Sequence, residues 1–170
     1  MCILVLGISG IILSNHFHAN YNDLKEYEDY CKKAREQDIW EGFSLENKPI
    51  LAMDESIKNV YLLNPNQEIH SIFAKRIKMP QEFQTVAYRI SPLYPKLFSF
   101  RFAGNFNTIE QTYKLWGNDI YFIKYDPQVA IRAPFRSNHF ITFLSHEAFH
   151  YYMQNNWAKG AVYSTEDLSD

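Results

Sequence analysis

Residues 140–153 read FITFLSHEAFHYYM, and nine of these fourteen side chains are apolar or aromatic: Phe140, Ile141, Phe143, Leu144, Ala148, Phe149, Tyr151, Tyr152 and Met153. The stretch is long enough for a helix, which is expected to begin near Ser137 or Asn138 and to run to about Asn155. A helix that is apolar nearly all round has to be buried, and its partner must offer a large apolar surface. This requirement constrains the rest of the chain, which must supply a sheet or a bundle wide enough to cover it.

The middle of the chain has the texture of strands. PILAMD and NVYLLN flank a polar stretch from Glu55 to Lys58 and predict a hairpin. SIFAKRI and TVAYRI alternate in part, and DIYFIKYD (residues 119–126) is the clearest strand. SPLYPKL holds two prolines and reads as a loop, followed by FSFRFAG as a strand closed at Gly104. NTIEQTYKLW (residues 107–116) reads as a helix, with Asn107 or Thr108 as its cap and Gly117 as its stop. At the other end of the chain, YNDLKEYEDYCKKAREQD (residues 21–38) repeats Leu24, Tyr27, Tyr30, Cys31 and Ala34 at three- and four-residue steps, so it is an amphipathic helix packed on the outside of the domain. The expected fold class is α+β: an N-terminal helix, a mainly antiparallel sheet from about Pro49 to Asp126, and the apolar helix packed on that sheet.

With 170 residues the chain is about one domain in size. Its net charge is −2 and its lysines and arginines are scattered, which provides no electrostatic footprint for nucleic acid. Residues 3–13 are an unbroken run of apolar residues with Gly and Ser. The run is too short to span a bilayer but suits the core of a signal peptide. Residues 1–19 are therefore expected to be a signal peptide or an N-terminal membrane anchor, with a buried strand or helix as the alternative. His16 and His18 would lie just past the membrane edge. The localisation that follows is extracytoplasmic, secreted or anchored. Removal of Cys2 would leave Cys31 without a partner and of no chemical consequence.

His146 and His150 are four residues apart, on one helix face. That spacing allows two imidazole nitrogens to reach one ion at the ~2.0–2.1 Å that zinc prefers. Glu147 is rotated by about 100°, where its carboxylate can reach a metal-bound water rather than the metal. Three residue types thus match three chemical tasks, two of ligation and one of proton abstraction.

SHEAFH resembles the HExxH motif of the zincin metallopeptidases. The residues between and around the ligands, Leu144, Ala148, Phe149 and Tyr151, are uncharged as in that superfamily, and no proline interrupts them. The resemblance covers about residues 140–154. It implies a zincin-like domain over residues 20–170, with Zn2+ held by His146, His150 and an acid, Glu147 as general base, and a peptide or protein as substrate. It also implies that a strand ahead of the helix serves as a substrate-binding sheet edge, for which DIYFIKYD is the candidate. The sequence E-x-x-S-D at Glu166 to Asp170 resembles the pattern of the glutamate zincins, in which the glutamate is the third ligand and the aspartate orients the first histidine. STED also opens a helix as cap and acidic first turn. On that reading the third ligand lies beyond residue 170, and the chain is a fragment of a longer protein. Both readings of Glu166 stand.

Tyr151, Tyr152 and Tyr163 are candidate oxyanion donors, although core packing accounts for the first two. Arg132 and Arg136 are candidates for binding a substrate carboxylate, and His70 and His139 have no evident partner. The alternative to a peptidase is a non-catalytic exported binding or structural module with a degenerate or incomplete metal site.

Overall fold

The computed structural model describes residues 19–37, 42–54, 58–102, 113–125 and 140–154. Helix α1 (Tyr21–Gln37) is followed by a short 3-10 turn (Leu45–Asn47) and strands β1 (Ile50–Asp54), β2 (Val60–Leu63), β3 (Ala74–Arg76) and β4 (Ala87–Ile90). Helix α2 (Leu97–Phe102), strands β5 (Tyr113–Leu115) and β6 (Asn118–Tyr125) and helix α3 (Phe140–Phe149) complete the order, with α3 continuing as a π-helical turn (His150–Gln154).

Six strands form one sheet in the order β3-β4-β2-β1-β6-β5. All neighbours are antiparallel except β1 and β6, which run parallel with Ile50 opposite Tyr121 and Asp54 opposite Tyr125. The expected hairpin is β1–β2, in the register Ile50 to Leu63 through Met53 to Val60. These central strands are buried along their whole length, which is why they read as continuous apolar runs rather than as alternations. The architecture is α+β, as expected, with helices on a mixed and mostly antiparallel sheet.

Strand geometry sends alternate side chains to opposite faces, and the core divides accordingly. Ile50, Ala52, Tyr61, Leu63, Tyr121, Ile123 and Tyr125 face α1 and α3, where they meet Leu24, Tyr27, Phe140, Leu144 and Ala148. Leu51, Met53, Val60, Leu62, Tyr88, Ile90, Ile120 and Phe122 face the other way, under Leu97 and Phe100 of α2.

Helix α1 starts on Asn20, whose Oδ1 accepts from the Asn22 amide at 3.1 Å and so caps the first turn. Its inner face carries Leu24, Tyr27 and Cys31 as the three- and four-residue spacing predicts. Burial pushes the Cys31 thiol up to about 12, which leaves it unreactive. Glu28 is also buried, and its carboxylate accepts from the Gln84 and Thr85 amides at 3.1 Å each, tying the helix to the chain ahead of β4.

Two elements differ from expectation. FSFRF alternates as a strand would, yet Leu97–Phe102 is a helix. A staircase of turns feeds it, with the Leu97 amide donating to the Tyr94 carbonyl at 2.9 Å and Phe98 to Pro95 at 3.1 Å. The helix buries Leu97 and Phe100, three residues apart. Here tertiary context overrides the strand preference of phenylalanine. The second difference is NTIEQTYKLW. Its last residues, Tyr113–Leu115, are strand β5, and Trp116 and Gly117 form a two-residue hairpin loop into β6 with φ of 44° and 76°. Positive φ at both central positions is the mark of the turn whose twist matches the flanking strands. Gly117 is thus a turn residue and not a helix stop. Residues 107–112 lie outside the described residues.

Candidate metal centre

Helix α3 lies on β6, where Phe140, Leu144 and Ala148, one helical turn apart, enter the core beside Tyr121, Ile123 and Tyr125. The Phe140 ring rests 4.4 Å from that of Tyr125. The opposite stripe, Thr142, His146 and His150, is exposed. The expectation of a helix buried all round is therefore corrected: both histidines point outward, and no desolvation penalty has to be offset at them. Strand β6 lies between β1 and β5, and among the described residues β5 pairs only with its first three residues, Asn118–Ile120.

The two imidazoles converge. Nε2 of His146 and Nε2 of His150 are 3.2 Å apart, with ring centroids at 4.6 Å and planes at 79°. Two nitrogens bound tetrahedrally to one zinc at ~2.0–2.1 Å stand roughly 3.3 Å apart. The rings already hold the spacing of a chelating pair. At His150 the α-helical pattern gives way to the wider π-helical turn. A wider turn rotates each residue by less than 100°, so residue i+4 returns closer to directly above residue i.

Glu147 is on the flank of the same turn. Its Oε1 is 3.9 Å from His146 Nε2, and its side chain is 17% exposed against 66% for His146. It is close enough to the buried Tyr121 that burial, and then the Glu147 charge, hold the Tyr121 hydroxyl above the usual phenol range. Glu147 is thus a largely buried carboxylate beside an exposed pair of imidazoles.

The neighbouring tyrosines serve the fold. Tyr152 donates its hydroxyl to the Pro49 carbonyl at 3.0 Å, and Tyr151 packs 5.4 Å from Tyr121. Phe43 packs edge-on against Phe149 at 5.6 Å, and it also lines a cleft of about 380 Å³ with Arg35, Ser44 and Lys48. His70 is on an exposed loop, 3.9 Å from Glu68.

Among the described residues, no group of three or more His, Cys, Asp or Glu side chains is arranged to hold a metal. The pair His146–His150 fits two positions of a zinc shell. Glu166 and Asp170 lie outside the described residues, as do Tyr163, Arg132, Arg136, His139 and the apolar run 3–13 with His16 and His18.

A buried polar cluster escaped the sequence reading. Asp54, 1% exposed at the end of β1, accepts from the Lys58 amide and from Asn59 Nδ2 at 2.8 Å each. Tyr125 donates to Asp23 nearby. The acid that ends ILAMD was its one visible signal. Comparison of the chain with protein-family models, with curated proteins and with solved structures found no match.

Proposed function

We propose that the chain is a zinc-dependent peptidase in which His146 and His150 hold the metal and Glu147 is the general base. The observation that carries this reading is the 3.2 Å separation of the two Nε2 atoms, with a half-buried carboxylate 3.9 Å from one of them. Zinc, when bound, brings a coordinated water to a pKa near 7 and polarises a carbonyl. The protein's part is to present two imidazole nitrogens from one turn and to hold the Glu147 carboxylate beside them as the group that would take the proton. Packing of Leu144 and Ala148 on the sheet fixes that turn. Glu166 supplies the third ligand, and the substrate is a peptide or protein met outside the cytoplasm.

A second reading is a non-catalytic binding module whose two histidines form an incomplete site.

Elemental mass spectrometry of the full chain, with His146→Ala and His150→Ala beside it, tests the metal. One zinc per chain, lost in both variants, is the expected result, and no zinc overturns the proposal. Hydrolysis of a mixed peptide library by the unmodified chain and by Glu147→Gln then separates the two readings. Turnover lost in Glu147→Gln with zinc retained supports the peptidase. Zinc without turnover in either supports the module.

A further inference from the structure

The turn that carries His150 is held from outside its own helix. Helix α3 widens into a π-helical turn over His150–Gln154. Such turns are rare and occur mostly as single turns within α-helices, so a contact with the rest of the fold has to favour this one over a continuous α-helix.

Tyr152 makes that contact. Its hydroxyl donates to the Pro49 carbonyl at 3.0 Å, where the chain enters β1. Its one proton is committed there, so it does not serve as an oxyanion donor. The ring is gripped as well. The Lys48 ammonium stands 4.8 Å from its centroid, and Tyr151 meets it edge-on at 4.7 Å.

An anchor can position a turn only if it is itself fixed, and Pro49 is. Its carbonyl also accepts from the Tyr121 amide of β6 at 3.0 Å, and the neighbouring Lys48 amide donates to the Leu45 carbonyl at 3.1 Å. That Leu45 carbonyl accepts from the Tyr27 hydroxyl of α1 at 2.8 Å. At the other end of the same segment, Phe43 packs against Phe149 at 5.6 Å. The segment from Phe43 to Pro49 therefore touches the helix on both sides of His150, at Phe149 and at Tyr152.

Residues of a π-helical turn advance by less than 100° each. Position 152 therefore points in a different direction from the one it would take in a continuous α-helix. A hydrogen bond made at 152 selects the wide turn. The wide turn in turn brings Nε2 of His150 to 3.2 Å from that of His146.

We propose that Tyr152 is a positioning residue for the histidine pair, its bond to Pro49 holding the π-helical turn and so setting His150 beside His146. This role rests on the reading of the pair as a zinc site.

The test is the zinc affinity of the full chain, measured by competition with a chromophoric chelator, for the unmodified protein, Tyr152→Phe and Gly117→Ala. Tyr152→Phe keeps the ring against Lys48 and Tyr151 and leaves the Pro49 carbonyl bonded to the Tyr121 amide. It should weaken zinc binding about tenfold, the lower end of the effect of groups that orient metal ligands. Gly117→Ala strains the β5–β6 hairpin without touching α3, and should lower the melting temperature while leaving zinc affinity unchanged. Unchanged affinity in Tyr152→Phe, with zinc still lost in His146→Ala and His150→Ala, would overturn the positioning role and leave the zinc site standing. An equal loss of affinity in Gly117→Ala would mark the effect as one of stability alone and would also overturn it. No zinc in the unmodified chain would overturn both the role and the zinc site.

Discussion

The hydroxyl of Tyr125 donates to Oδ2 of Asp23 at 2.6 Å and joins the last residue of β6 to the first turn of α1. Burial raises the Asp23 carboxyl above its ordinary value of 3.8, the bond from Tyr125 opposes the rise, and the charge of Asp54 adds to it. The folded protein therefore holds the proton to a higher pH than the unfolded chain does. Stability from the protonated form is full below the unfolded value and is lost as pH rises through the folded one. Asp23→Asn keeps an acceptor for Tyr125 and removes the charge. Its stability relative to the unmodified protein should shift in favour of asparagine between pH 4 and pH 7, as read by urea unfolding at both. A difference that does not change with pH would show that Asp23 does not titrate differently on folding.

Leu144 is fully buried between the two exposed histidine positions of the motif turn and the sheet. Leu144→Ala opens a cavity and should cost about 2–5 kcal/mol in denaturant unfolding. The exposed Thr142→Ala on the same helix should change stability by no more than about 0.5 kcal/mol. Equal effects would mean that α3 does not pack as described.

Gly117 and Gly42 form a matched pair, with φ of 76° and 73°. A Cβ at Gly42 meets nothing within 4 Å, whereas one at Gly117 would stand 2.8 Å from Nε2 of Gln67. That nitrogen donates to the Trp116 carbonyl at 2.8 Å. Both alanine variants carry the left-handed strain of about 1–2 kcal/mol. Gly117→Ala should cost more than Gly42→Ala, because it also displaces Gln67. Thermal unfolding of the two variants side by side measures the difference.

Zinc that binds only the folded chain should stabilise it. At about one hundred times the dissociation constant the gain is about 2.7 kcal/mol, read as a rise in melting temperature that EDTA reverses. His146→Ala and His150→Ala should each abolish the rise. A rise that survives both substitutions would place the metal elsewhere in the chain.

Much of the fold was legible because its signals are local. The spacing of Leu24, Tyr27 and Cys31 specified α1, the apolar runs ILAMD and NVYLLN specified the β1–β2 hairpin, and DIYFIKYD specified β6. The histidine pair was legible for the same reason, since four-residue spacing on a helix brings side chains together whatever surrounds them. Residues 97–102 and 113–117 were misread where local pattern and tertiary context disagree. FSFRF alternates like a strand but buries Leu97 and Phe100 as a helix, and YKLWGN carries its hairpin signal in a single glycine after an unusual left-handed tryptophan, stacked 4.8 Å from Tyr94.

By itself, then, the sequence determined helix against strand wherever periodicity was strong, together with the convergence of His146 and His150, because backbone geometry sets both over a few residues. Tertiary structure alone decided that β6 runs parallel beside β1, and that the histidines face water while Leu144 and Ala148 face the core. These outcomes depend on strand register and on which helix face the sheet covers. Both are set by contacts between segments distant in the chain, such as that of Asp23 with Tyr125.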